Sequence, residues 1–445
     1  PNACRSLRAG HIARDLSGLG CAHPNTVRLV LLAQSEALLV FEKSPSSALN
    51  TLPVEVMTGA LRGPKGFSTE LTAEVLNDAL DRSIPLAAAV AARAIRKSGK
   101  NTSLTNSTIQ SPLVRALAAP STLVQFEASQ TLAVTSPQLP FSGSSRLLNR
   151  LLYFANSSGI DEALIVHPNH DTTEFLKSSI SQYGFVPSSV SNGRLCIRKV
   201  RQSPDLRLII LSARLPDLSA SEVVELLQQE SLGRQLPILV MLDPLDDNKA
   251  CRQRTRLVLR LHDLGNALLT DRLDSQFFPT LKSTTNGEEV IPPRFPETLT
   301  RITGPQAIDA GWRQEQRKNR LQRASIALTI LEQLGYDGWD IREAFPVAHN
   351  GLTHSETFNP AMQLLANMPS PAAQRSLFDL AWAPDLDKRI RKKAVDSLGT
   401  SLEQHGILLP NSTLRIINDM YNEDNHRDDS SISRDLVALF QPPKK

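Results

Sequence analysis

LRLIILSARLPDLSASEVVELLQQE, residues 206–230, decides how the middle of this chain folds. Its first seven residues are apolar on both faces, as in a strand covered from two sides. Leu215-Pro216 then makes a turn, and 219–230 carries apolar residues at helical spacing. The same alternation continues to either side. EALIVH (162–167) is a β-branched and aliphatic run, followed by the helical TTEFLKSSISQYG. FVPSSV (185–190) precedes the helical RLCIRKVRQ. PILVML (237–242) precedes NKACRQRTRLVLRLHDLG, and NALLTD (266–271) is a fifth strand. Five strand–helix units in about 120 residues predict a flavodoxin-like doubly wound parallel sheet.

Outside this segment the periodicity is helical. Residues 1–155 read as short helices, among them RSLRAGHIARDLSGLG, TVRLVLLAQSEALLVF, LPVEVMTGAL, STELTAEVLNDALDRS and IPLAAAVAARAIRKSG, most closed by Gly or Pro. Residues 309–445 return to the pattern: a long helix through WRQEQRKNRLQRASIALTILEQLG, then NPAMQLLANMPS, AAQRSLFDLAW, LDKRIRKKAVDSLGTSLEQHG, LPNSTLRIINDMYN and SRDLVALF. NGLTHSETFN (350–359) reads as a polar loop with a Ser or Thr helix cap. Helices this short are marginal alone and need neighbours against which to bury their stripes. Residues 276–308, rich in Pro, Ser and Thr, read as a linker.

Small residues recur at set offsets in three of these helices. Ala91, Ala92 and Ala94 precede Ile95; Ala128, Ser129 and Leu132 follow Val124; Ala394, Val395, Leu398 and Gly399 follow Ile390 and Arg391. Each set lies on one helix face and lets a neighbour approach closely. The pattern resembles the second helix of HEAT repeats, in particular the short type described in phycobilisome lyases. It is kept best at Ile390–Gly399, and departs at Gln125 and Ala88, where that family has Arg. The resemblance implies a helical solenoid at 1–155 and 309–445, interrupted by the α/β domain at 160–275.

That domain resembles a response-regulator receiver, through the order of its elements, the Leu215-Pro216 turn and Pro237 opening the fourth strand. A receiver's acidic pair falls on His167 and Pro168, its phosphoacceptor on Ser212, its Ser/Thr on Leu242, and its Lys near Thr270, with Asp271 after it. None of these positions keeps the family's residue type. Ser212 lacks the carboxylate that forms an acyl phosphate, and Pro168 has no ligating side chain. The resemblance therefore implies a pseudo-receiver, bacterial in type, without phosphoryl chemistry. His167, Ser212 and Asp243 would meet at the strand ends, but no Gly-x-Ser-x-Gly elbow or oxyanion pair accompanies them. Asp243, Asp246 and Asp247 read as helix-capping residues before metal ligands.

Composition narrows the function classes. Hydrophobic residues make up 41% and charged residues 21% of 445, so the chain is globular; no apolar run is long enough for a membrane span. Four scattered cysteines make neither a disulfide framework nor a cysteine zinc site. The histidine pairs HPNHD, HNGLTH and NHRDD lack zinc spacing, so neither metal nor cofactor is expected. The chain begins at Pro1 without Met, which leaves a removed leader open; the expected compartment is the cytoplasm.

Basic residues cluster at Arg252, Arg254, Arg256 and Arg260, at Arg313, Arg317, Lys318, Arg320 and Arg323, and at Lys388, Arg391 and Lys392. Arg317, Arg320, Lys388, Arg391 and Lys392 form the candidate basic contact surface. The net charge of +4 and 5% aromatic content give little support to nucleic-acid binding. The expected role is a non-enzymatic scaffold for a protein partner. Nucleic-acid binding through basic helix faces is the alternative, and a chromophore-lyase-like activity the second alternative.

Overall fold

In the computed structural model, described residues are 69–98, 112–135, 141, 143–230, 236–241, 267–270, 310–410, 413, 415 and 430–440. The helices expected before residue 69, the helix after the fourth strand, the linker and the helix at 409–422 fall wholly or largely outside them. Labels below number the described elements.

The central segment folds as the alternation dictates. Strands β1 (Glu162–Val166), β2 (Val186–Val190), β3 (Leu206–Ser212) and β4 (Ile238–Met241) alternate with helices α6 (His170–Ser181), α7 (Gly193–Gln202) and α8 (Ala220–Gln229). All pairings are parallel, in the order β2-β1-β3-β4, and a four-residue ribbon, β5 (Ala267–Thr270), extends the edge beside β4. The order across the sheet is β2-β1-β3-β4-β5, with β4 and β5 of four residues each.

Side-chain alternation sends Leu164, Val166, Ile209, Leu211, Ile238 and Val240 to one face, against Cys196 and Val200 of α7 and Val223, Val224 and Leu227 of α8. Ala163, Ile165, Leu208, Ile210 and Leu239 go to the other, against Leu176 and Ile180 of α6 and Phe185. Helices α7 and α8 approach closely at Gly193, where an added Cβ would stand 2.6 Å from Val223.

Upstream lie α1 (Thr69–Asp81), α2 (Pro85–Ser98), α3 (Pro112–Ala116), α4 (Thr122–Thr135) and α5 (Ser144–Ala155). Helix α2 packs on α1 and on α4, and α3 on α1 and α4, so each helix of the first pair meets its counterpart in the second. Of the small face expected on α2, Ala91 and Ala92 are buried with Ile95 and Ala94 is half-buried; Ala87–Val90 are buried as well. Helix α4 is buried almost all round, and Arg93 and Arg96 of α2 neutralise its interior Glu127. Tyr153 of α5 packs on the α7/α8 side of the sheet, where burial pushes its hydroxyl up to about 12.

Downstream come α9 (Ala310–Tyr336), α10 (Phe345–Gly351), α11 (Ser355–Ala366), α12 (Pro371–Trp382), α13 (Lys388–His405) and α14 (Ser430–Phe440). Here α11 packs on α13, α10 on α12, and α14 on α13. The polar loop expected at 350–359 is a correction. Asn350 and Gly351 close α10, Ser355–Asn359 open α11, and Pro360 lies inside it. Thr357 is buried and donates to the Gly351 carbonyl (2.7 Å), which pins the short turn between the helices.

The chain forms two compact units. One holds the described residues up to Arg320 apart from 154–158; the other holds 154–158 and Leu321 onward. The first helical group and the sheet thus share a unit, and the unit boundary falls within α9. One continuous solenoid is not what the described residues form: the helices fall into two groups, each only a few helices long. No described helix is long and apolar enough to cross a membrane.

Candidate functional site

In a parallel sheet, ligands meet the carboxyl ends of the strands. Register places Ser212 beside Met241, and Met241 beside Thr270, with Val166 one step back beside Leu211. His167 follows β1 directly, and its backbone N–H donates to the Val190 carbonyl (3.1 Å). Of the positions matched to a receiver pocket, the described His167, Pro168, Ser212 and Thr270 stand at the same end of the sheet.

Their side chains are committed locally. His167 Nδ1 accepts from the Asn169 backbone N–H (3.0 Å), and the Asn169 side chain accepts from Thr172 N–H (3.1 Å) as the cap of α6. Ser212 is 2% exposed; its hydroxyl donates to the Arg214 carbonyl (3.1 Å) and accepts from the Arg214 N–H (3.3 Å). A serine whose proton is held by its own turn has no base to activate it. Pro168 is exposed and contributes no ligand. Leu242, Asp243, Asp246, Asp247, Asp271 and the Arg252–Arg260 cluster lie outside the described residues.

Asp217, in the loop after β3, is turned elsewhere. It accepts from the N–H groups of Gly193 (2.8 Å) and Arg194 (3.0 Å) at the start of α7. Burial works to raise its carboxyl, but those backbone donors at a positive helix end outweigh it and hold it below the ordinary range. Cys196 is buried, and desolvation pushes its thiol up to about 12, so it is unreactive. Among the described residues no group of three or more His, Cys, Asp and Glu is placed to hold a metal ion.

The opposite edge of the sheet carries the strongest electrostatics, which the sequence reading missed. Arg320 of α9 donates from Nη2 to the carbonyls of Gly159 (2.6 Å) and Ile160 (3.1 Å) and to Asp161 Oδ1 (2.8 Å). Its Nε lies 3.3 Å from Asp205 Oδ1, and its side chain is 7% exposed. Arg313, two turns earlier, donates to the Tyr183 carbonyl (2.6 Å) and lies over the Phe185 ring. Beside them, burial acts to raise the Glu162 carboxyl, and hydrogen bonds from Lys199 and Ser203 overcome it and hold it low. This edge is a structural clamp on the start of α9.

No family model, curated protein or solved structure matches this chain.

The candidate basic surface needs correction at two of its five positions. Arg320 is buried in the ion pairs above. Arg391 is 4% exposed and donates from Nε to the Ala381 carbonyl at the end of α12 (3.0 Å). Arg317, Lys388 and Lys392 are exposed, Arg317 in the first unit and the lysines in the second. The sequence held the signal. Arg320 lies four residues before Ala324 and eight before Leu328, and Arg391 three before Ala394 and seven before Leu398. Both sit on the apolar stripe of their helix, where a cation must find a buried acceptor.

Proposed function

We propose that the chain is a non-catalytic interaction protein, in which HEAT-like helix pairs accompany a receiver-like module that accepts no phosphoryl group. The observation that carries this reading is the row of strand ends: His167, Pro168 and Ser212 stand where that chemistry needs carboxylates, and Ser212 is closed on Arg214. The sheet order β2-β1-β3-β4 supports the receiver-like part. For the helical part, Gln125 and Arg391 occupy the same place in the small-residue pattern. Both donate to a carbonyl at the end of the preceding helix or its turn, Ala119 and Ala381 respectively. A residue that ties one helix to the previous one at the same offset in both groups is what a repeat requires.

Incubation with Mg²⁺ and acetyl phosphate, followed by intact-mass measurement, tests this. The expected spectrum is that of the untreated chain; a stoichiometric phosphoryl adduct on the module would overturn the reading. Nucleic-acid binding loses ground because Arg320 and Arg391 leave the candidate surface. No residue supports a chromophore-lyase activity beyond the repeat resemblance.

A further inference from the structure

Helix α13 begins KRIRKK. Its buried stripe takes Arg391, Ala394, Val395 and Leu398, and Lys388, Arg389, Lys392 and Lys393 are exposed. These four cations stand within the first two turns, which contain no acidic residue in the first turn. The cap, Asp387, spends one carboxylate oxygen on the Arg389 N–H (2.7 Å). Lys393 donates to Asn359 of α11 (3.1 Å), a neutral partner. Lys388, Arg389 and Lys392 make no ion pair among the described residues, and neither does Asp396 at the far end of the patch. The helix dipole is already positive at this end, so cations here repel both it and one another. Such an arrangement lowers the stability of α13 and is relieved when anionic groups arrive.

We propose that Lys388, Arg389 and Lys392 form a docking surface for an acidic segment of a protein partner. The proposal rests on the interaction-protein reading and names its partner chemistry. Scale favours a peptide over nucleic acid. From Lys388 to Lys393 the helix rises about 8 Å, room for a few carboxylates but for only a pair of phosphates along a strand. No aromatic residue stands among these cations to stack a base.

Fluorescence anisotropy with a labelled glutamate-rich peptide tests it, using the full chain, the variant Lys388→Glu/Arg389→Glu/Lys392→Glu, and the control Arg194→Glu/Arg198→Glu, which alters exposed cations on α7. The wild-type chain should bind, more weakly as salt rises, and the α13 variant should bind about tenfold more weakly or worse. The control should bind like wild type. The Tm of the α13 variant should stay level or rise, because acids suit a helix start; this separates lost binding from lost folding. A wild-type chain that ignores the peptide overturns the proposal. So does an α13 variant that binds equally well, or an oligothymidylate that binds more tightly through the same residues. Phosphorylation of the receiver-like module would defeat the broader reading while leaving this measurement interpretable.

Discussion

Arg320→Ala should destabilise the first unit by about 3–5 kcal/mol, the range for breaking a buried ion pair from one side. The loss follows from what the alanine leaves behind. Asp205 is 3% exposed and Asp161 is largely covered, so both carboxylates would keep their desolvation cost after losing Arg320, with Arg207 still 3.7 Å from Asp161. The carbonyls of Gly159 and Ile160 would lose their donor as well. Arg320→Lys should recover little, since one ammonium cannot reproduce the spread of a guanidinium over four oxygens. Arg320→Met combined with Asp161→Asn and Asp205→Asn should recover a good part, because that variant removes the buried charges together. Two compact units unfold as separate cooperative blocks. The measurement is therefore amide hydrogen exchange at β1 and β3, read against denaturant. A change below about 1 kcal/mol for Arg320→Ala, the size of an exposed pair, would show that the clamp is not formed.

Ile209→Ala should cost about 2–5 kcal/mol, and Ile209→Val about 0.5–1.5 kcal/mol. Ile209 is fully buried in β3, with Leu164 of β1 and Ile238 of β4 as its register partners on the same face. Helices α7 and α8 cover that face, so the lost methyl and methylene groups leave a cavity walled by the sheet on one side and two helices on the other. Both walls are fixed by strand pairing and helix packing, which limits collapse into the void. Denaturant titration of the two variants checks the graded loss. Equal, small effects would mean that β3 is an edge strand and not the middle of a covered sheet.

Much of the fold was legible because it rests on periodicity. Strands β1, β3 and β4 fall where the unbroken apolar runs predict them, β2 falls on the more polar VPSSV, and α9, α12 and α13 end within a few residues of their Gly, Pro and polar stops. Local turn chemistry was harder. Residues 355–359 carry Ser, Thr and Asn, which favour loops, but burial of Thr357 against the Gly351 carbonyl overrides that preference. The strand-end site was legible residue by residue, since His167, Pro168 and Ser212 announce the missing carboxylates. Its closure was not, because the Ser212–Arg214 turn depends on backbone geometry. The clamp at Arg320 was misread for a physical reason. A charged residue is ordinarily a surface residue, and only its position on the apolar stripe, together with Asp161 and Asp205 far away in sequence, marks it as interior.

The account turns on whether the carboxyl edge of the sheet can hold a hard cation. A Mg²⁺ titration followed by amide chemical shifts at His167, Asn169, Ser212 and Ala213 asks this directly. The account predicts only small shifts that grow linearly with ionic strength and do not depend on the identity of the divalent ion. Saturable, Mg²⁺-specific shifts at these four amides would contradict it.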